Sequence, residues 1–363
     1  MDPKDARFLA GLVHLGFVSG TAMREALAGA REGESPPDLL ARFGLMAAEE
    51  AERLRANRLG AEPSFTRYER LELLGEGRTA RVFAVRDRRD GRTYAVKLCR
   101  EEQARDPKRL RRFLEEARLL CELEHPGLLK GYRLARDHGQ YFLVMELIRG
   151  EDLERALERD GPFAEDALLD IARQVARTLR FLRERGLVHR DLKPGNLLRD
   201  GDGRIVLCDL GFAVREGDLR GGGRTVGTIA YISPEQARGL ADLDARADIY
   251  SLGATLFHLA TGEPPFGTGE DPRTLRSQVG EPLSTERLRA FRLSPLLHYF
   301  LEKMLAKDRE IRFQTPDEIL AELAEKWRPE TDPATPPSPT ARTSPSRRRR
   351  RPAAGRRPRR RRR

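Results

Sequence analysis

The chain has 363 residues, enough for two or three compact units, and 68 basic against 57 acidic side chains give it a formal charge of +11. That excess is local: residues 329–363 hold thirteen Arg against Glu330 and Asp332, so the remainder is formally neutral and nothing global steers it to nucleic acid. Cys99, Cys121 and Cys208 are odd in number and widely spaced in apolar stretches, which fits reduced core thiols better than a disulfide framework, and no apolar run of about 18 residues or N-terminal leader pattern occurs, so a soluble, cytoplasmic protein without a transmembrane segment is expected.

Residues 1–62 read as helical and contain a weak repeat of period 28: Leu12, Leu15, Gly16, Phe17, Val18 and Ala26 recur as Leu40, Phe43, Gly44, Leu45, Met46 and Leu54. Each copy reads as an apolar helix end, a Gly in the C-cap place and a second helix, for instance 48–58. Two such hairpins would bury both apolar stripes, making a small packing or docking module. The pattern resembles the paired helical repeats at the N-terminus of type II secretion ATPases, some of which bind cyclic dinucleotides.

From Tyr68 the texture changes to short apolar segments at 71–74, 81–86 and 93–98, broken by Gly75, Gly77 and Asp90-Gly91, which reads as strands joined by tight turns. A helix is expected after Asp106-Pro107, at about 109–122, followed by strands at 128–134 and 141–146. From Leu153 to about Trp327 the period is mostly helical. The fold class is therefore α+β, a small sheet-rich lobe ahead of a larger helical one. Beyond Pro329 no aliphatic side chain exceeds Ala, so residues 329–363 are expected to be disordered.

Gly75-Glu76-Gly77-Arg78-Thr79-Ala80-Arg81-Val82 joins two strands, and backbone amides near its glycines can approach phosphate oxygens without Cβ obstruction. A Gly-rich hairpin turn explains the same string. On the next strand Tyr94-Ala95-Val96-Lys97 places a lone charge in a buried setting, which demands an anionic partner. At about 100° per residue, Glu116 flanks the apolar stripe of the following helix while Glu115 points to solvent, so Glu116 is the candidate partner.

Val188-His189-Arg190-Asp191-Leu192-Lys193-Pro194-Gly195-Asn196 is a full match to H-R-D-L-x-x-x-N, and Cys208-Asp209-Leu210-Gly211 follows it in the D-F-G place. With these motifs in order, residues 68–328 resemble the eukaryotic-type (Hanks-type) protein kinase family, and its bacterial members most, judged by Ser233-Pro234-Glu235-Gln236-Ala237-Arg238-Gly239 and Ala260-Thr261-Gly262-Glu263-Pro264-Pro265-Phe266. The resemblance implies a two-lobed kinase fold and transfer of the γ-phosphoryl group of ATP, with Mg²⁺ or Mn²⁺, to protein substrates; Lys193 in Asp-Leu-Lys-Pro and Gly227-Thr228 imply Ser or Thr acceptors. It implies that Asp191 orients the acceptor hydroxyl, Lys193 neutralises charge on the moving group, Asn196 and Asp209 hold metal, and Lys97, braced by Glu116, orients the α and β phosphates. It further implies an adenine slot of Val82, Ala95 and Leu198, backbone contacts from Glu146 and Ile148 after a gatekeeper-like Met145, and ribose contact by Asp152. Asp248 is expected to anchor the catalytic loop, and Arg312 to be the buried partner of Glu235. Ala80, Leu210 and Ser233 depart from the family pattern but touch no phosphate, metal or proton.

Arg190, next to Asp191, implies a phosphate clamp on the activation segment, where Thr225 is the candidate switch, with Arg215, Arg220 or Arg224 assisting. Twelve Arg within 347–363 make a possible site for an anionic partner, nucleic acid or an acidic surface, although a chain that uses 60 Arg against 8 Lys generates Arg runs by composition alone.

Overall fold

The computed structural model describes residues 3–14, 18–31, 33–49, 51–52, 67–77, 79–137, 139–216, 228–267, 272–281, 283, 291 and 293–328. Thr225, residues 53–62 of the helical region and the Arg-rich stretch 329–363 lie outside them.

Three N-terminal helices, α1 (Pro3–His14), α2 (Gly20–Ala28) and α3 (Pro36–Arg42), bury Phe8, Leu12, Met23, Ala26, Leu39 and Leu40 against one another. Ser19 and Ser35 cap the second and third, each accepting from a backbone N–H three residues on. Gly44, at φ +65°, closes α3: its N–H reaches Ala41 O and the Leu45 N–H reaches Leu40 O, the doubled bond of a Schellman end. The matching glycine of the first copy, Gly16, lies outside the described residues.

Strands β1 (Tyr68–Glu76), β2 (Ala80–Asp87), β3 (Thr93–Cys99), β4 (Gly131–Asp137) and β5 (Gln140–Met145) form one antiparallel sheet in the order β1-β2-β3-β5-β4. The β2–β3 turn closes at Gly91, φ +70°, where the Gly91 N–H reaches Asp87 O at 2.8 Å. A short helix α4 (Glu101–Arg105) leads to α5 (Pro107–Glu122). That helix starts two residues before the expected 109, because Asp106 accepts from Lys108 N and Arg109 N while Pro107 takes the first position, where no N–H is needed. Strand β4 starts later than the expected 128. Leu128 pairs instead with Leu207 of the second lobe, and Leu129 N donates to Leu207 O at 3.0 Å.

The helical lobe follows as β6 (Gly150–Asp152), α6 (Leu153–Asp160), α7 (Glu165–Arg183), β7 (Leu187–Val188), β8 (Leu197–Asp200), β9 (Ile205–Leu207), β10 (Val214–Arg215), α8 (Pro234–Ala237), α9 (Ala245–Thr261), α10 (Pro272–Gly280), α11 (Pro295–Met304) and α12 (Pro316–Lys326). This is the α+β, two-lobed kinase architecture. Helix α9 is buried on nearly all sides and needs no polar face, so it serves as the post to which the loops are tied. One apolar core runs from Ala95 and Leu120 through Leu153, Leu192 and Leu197 to Ile249, Phe300 and Leu323. Glu235 and Arg312 meet inside it at 2.6 and 2.9 Å, and Arg312 also donates to the carbonyls of Ala306, Arg246 and Lys307, so this buried charge pair is satisfied. All three cysteines are free, and no described helix is long and apolar enough to cross a membrane.

Candidate active site

Between the sheet and the helical lobe lies a cavity of about 460 Å³. Gly75, Gly77, Val82, Ala95, Lys97, Glu116, Met145, Glu146, Ile148, Asp152, Asn196, Leu198 and Asp209, all expected at a nucleotide site, line it. A Cβ built on Gly75 would meet no atom of the described residues within 4 Å, and one on Gly77 only Ala80 O at 3.7 Å. The space above these two amides is thus free for a ligand, as a phosphate cradle requires.

Lys97 arises from a buried strand and Glu116 from the buried edge of α5; their Nζ and Oε1 stand 2.5 Å apart, with Asp209 Oδ1 4.0 Å from the same ammonium. Burial pulls the Lys97 ammonium down, but the two carboxylates outweigh it and hold it above its ordinary value. Lys97, in turn, holds Asp209 below the usual carboxylate range, so Asp209 stays ionised. Asp209 (φ +66°) and Arg190 (φ +71°) are the two non-glycine residues in the left-handed region among the described residues, a backbone cost on the order of 1–3 kcal/mol each that surrounding bonds must hold. At Asp209 one such bond is the Gly211 N–H to Oδ1, 3.0 Å.

Asp191, nearly buried, is fixed at both oxygens. Oδ1 accepts from Thr228 N (2.9 Å) and Thr228 Oγ1 (3.2 Å); Oδ2 accepts from Asn196 Nδ2 (3.0 Å) and lies 3.3 Å from Lys193 Nζ. Lys193 Nζ also donates to Thr228 Oγ1 at 2.7 Å. Beneath them the Asp248 carboxylate accepts from His189 N and Arg190 N at 2.7 and 2.8 Å. Burial pushes its carboxyl up, against the pull of His189 and Arg190.

Two expected contacts have competing partners. The Asp152 carboxylate caps α6, accepting from Arg155 N at 2.9 Å, although it still faces the cavity. The Glu146 N–H is taken by Lys130 O and its carboxylate by Arg204, which leaves its carbonyl for a ligand. Gln236 was not among the expected residues, yet its Nε2 donates to Arg190 O at 3.0 Å; nothing in its spacing signals this. Arg112, on α5, is a second such residue: burial draws Arg190 below its ordinary value against the pull of Asp248, and the nearby Arg112 cation adds repulsion. Arg215 is exposed on β10, where Val214 pairs with Val188.

For a metal, the donors at hand are the Asp209 carboxylate and the Asn196 side-chain oxygen. No cluster of three His, Cys, Asp or Glu that could hold an ion occurs among the described residues. One carboxylate and one amide suit Mg²⁺, which keeps waters and binds through one or two protein oxygens plus substrate phosphates.

Residues 68–323 match the family model described as protein kinase domain. Among curated proteins, the chain is similar to serine/threonine-protein kinase PknB of Mycolicibacterium smegmatis, 35% identical over 271 residues, covering 71% of this chain and 42% of that protein. It is also similar to PknB of Mycobacterium tuberculosis, 36% identical over 270 residues with the same coverage, and to PrkC of Bacillus subtilis, 33% identical over 264 residues, covering 71% of this chain and 40% of that protein. The chain thus spans about two fifths of the length of these curated relatives.

Proposed function

Because the chain belongs to the protein kinase family, we propose that it transfers the γ-phosphoryl group of ATP to Ser or Thr hydroxyls of protein substrates. The observation that carries this is the Asp191 carboxylate, held by Asn196 and Thr228 beside Lys193, with the paired Lys97 and ionised Asp209 across the cleft.

In this reading the adenine lies between Val82 and Ala95 on one side and Leu198 on the other, its edge met by the backbone of Glu146 and Ile148 beside Met145. Asp152 takes the ribose. Lys97 orients the α and β phosphates beneath the Gly75 and Gly77 amides. Asp209 and Asn196 would hold Mg²⁺, or Mn²⁺, which when bound screens the phosphates from the surrounding carboxylates. Asp191 accepts the hydrogen of the substrate hydroxyl and aims its oxygen at the γ-phosphorus; as the new P–O bond forms, ADP departs and the proton passes to Asp191. Lys193 offsets charge on the group in transit. Such chemistry needs a compartment rich in ATP, which fits the cytoplasm.

We further propose Thr225 as the regulatory switch. Arg190 and Arg112 repel one another, and a phosphate of nearly two negative charges would turn that repulsion into two charge-assisted contacts. Residues 1–62 serve as a docking module, and the Arg run at 347–363 would take an anionic partner by counterion release, with affinity falling steeply as salt rises. The decisive experiment incubates purified protein with labelled ATP and Mg²⁺ and identifies the phosphorylated residues. Phosphoserine or phosphothreonine is expected; no transfer to any protein refutes the reading. If Thr225 is the switch, it carries phosphate in active protein, and Thr225→Ala loses at least tenfold in activity; an unmodified Thr225 and a fully active Ala variant remove it.

A further inference from the structure

Three polar side chains of the helical lobe, Gln278, Tyr250 and Lys307, form one hydrogen-bonded line. Gln278, on α10, has no exposed surface; its Nε2 donates to the Ala230 carbonyl at 2.7 Å and its Oε1 accepts from the Tyr250 hydroxyl at 2.7 Å. Tyr250, fully buried on α9, accepts in turn from Lys307 Nζ at 2.8 Å. Lys307 donates also to the carbonyls of Ser277 (3.2 Å) and Gln278 (2.9 Å), and Arg238 reaches the next one, Val279 O, at 3.2 Å. The last carbonyls of a helix lack intrahelical partners, so the Lys307 amino group and the Arg238 guanidinium, both donating here, lock the end of α10. The Gln278 side chain is thereby fixed at both its amide oxygen and its own backbone.

Its amide nitrogen points at a place of consequence. Ala230 is the middle residue of the 3-10 turn Ile229–Tyr231. That turn follows Thr228 directly, and Thr228 donates twice to Asp191 Oδ1. A polypeptide presenting a hydroxyl to Asp191 therefore approaches the residues beside Thr228, this turn among them. The nucleotide-side groups, Lys97, Glu116 and Asp209, line the cleft cavity, and no described residue of α10 is among its lining.

We propose that Gln278 is a positioning residue for the polypeptide acceptor: locked by Tyr250 and Lys307, it holds the Ala230 carbonyl and so sets the turn against which the acceptor segment docks. This rests on the kinase reading above. A purely space-filling role would be met by an apolar side chain, whereas a buried amide is stable only with its partners in place, and its donor is directed at the backbone of that turn.

Gln278→Glu is nearly isosteric and still accepts from Tyr250, but it turns an acceptor oxygen toward the Ala230 carbonyl. The full chain is assayed with a protein acceptor that the wild type phosphorylates, varying acceptor and ATP in turn. KM for the acceptor should rise about tenfold, while KM for ATP stays within about twofold. Tyr250→Phe removes only the hydroxyl between Gln278 and Lys307, and should raise the acceptor KM about threefold in the same selective way; it provides the test should Gln278→Glu fail to fold. An unchanged acceptor KM in the folded variants overturns the proposal, as does an equal loss for acceptor and ATP. A wild-type chain that phosphorylates no protein overturns the kinase reading instead.

Discussion

Replacing Arg312 with Met should unfold this chain more readily than any exposed charge change. The guanidinium and the Glu235 carboxylate are 0% and 4% exposed, so solvent screens neither. Removing one partner leaves Glu235 as a buried charge and strips the carbonyls of Ala306, Arg246 and Lys307 of a donor. Breaking a buried pair in this way costs about 3–5 kcal/mol, a large share of the roughly 5–15 kcal/mol by which domains are stable. For a domain of this size that lowers the melting temperature by on the order of 10 °C. The assay is denaturant unfolding followed by the fluorescence of Trp327, the chain's only tryptophan, whose Nε1 donates to Asp166 at the start of α7. Arg309→Ala supplies the comparison, because its pair with Asp242 is partly exposed and worth about 1 kcal/mol or less. Equal losses for Arg312→Met and Arg309→Ala would refute the assignment of a buried, structurally committed pair.

Two further expectations concern the site itself. A Cβ on Gly211 would stand 3.0 Å from Asp209 Oδ1 and 3.4 Å from Glu116 Oε2, so Gly211→Ala should displace one carboxylate and lower kcat by about tenfold while the melting temperature moves by only a few degrees; steady-state kinetics beside a melting curve check this. Burial holds His258, hydrogen-bonded to the Tyr231 hydroxyl at 2.8 Å, below its ordinary pKa. The unfolded chain therefore binds its proton more readily, so the His258 contribution is present above about pH 6.5 and is lost as pH falls through the lowered native value. His258→Asn should flatten the pH dependence of the melting temperature below about pH 6.5; an unaltered slope refutes it.

Much of the site was legible because its chemistry fixes residue types at short, constant spacing: Asp191, Lys193 and Asn196 lie within six positions of one another, and Glu116 follows from the 100° step of a helix. The sheet was legible through alternation and the Asp90-Gly91 turn. What escaped has no period. Gln236 to Arg190 and Gln278 to Ala230 join residues 46 and 48 positions apart through side-chain amides, which tertiary packing alone brings together. Asp152 caps α6 while also lining the cavity, and sequence carries no sign of which demand its carboxylate meets first. Leu128 and Leu129 look like strand, but their partner is Leu207 in the other lobe.

The central claim is that Asp191 aligns an acceptor hydroxyl against bound ATP. Its most direct test measures ATP affinity and phosphoryl transfer side by side in wild type and Asp191→Asn. Asn keeps the side chain's size and can still accept from Asn196, so ATP affinity should stay within about threefold, whereas transfer should fall by at least a hundredfold once the carboxylate that takes the hydroxyl proton is gone. Transfer at the wild-type rate by Asp191→Asn, with ATP bound, would contradict the account.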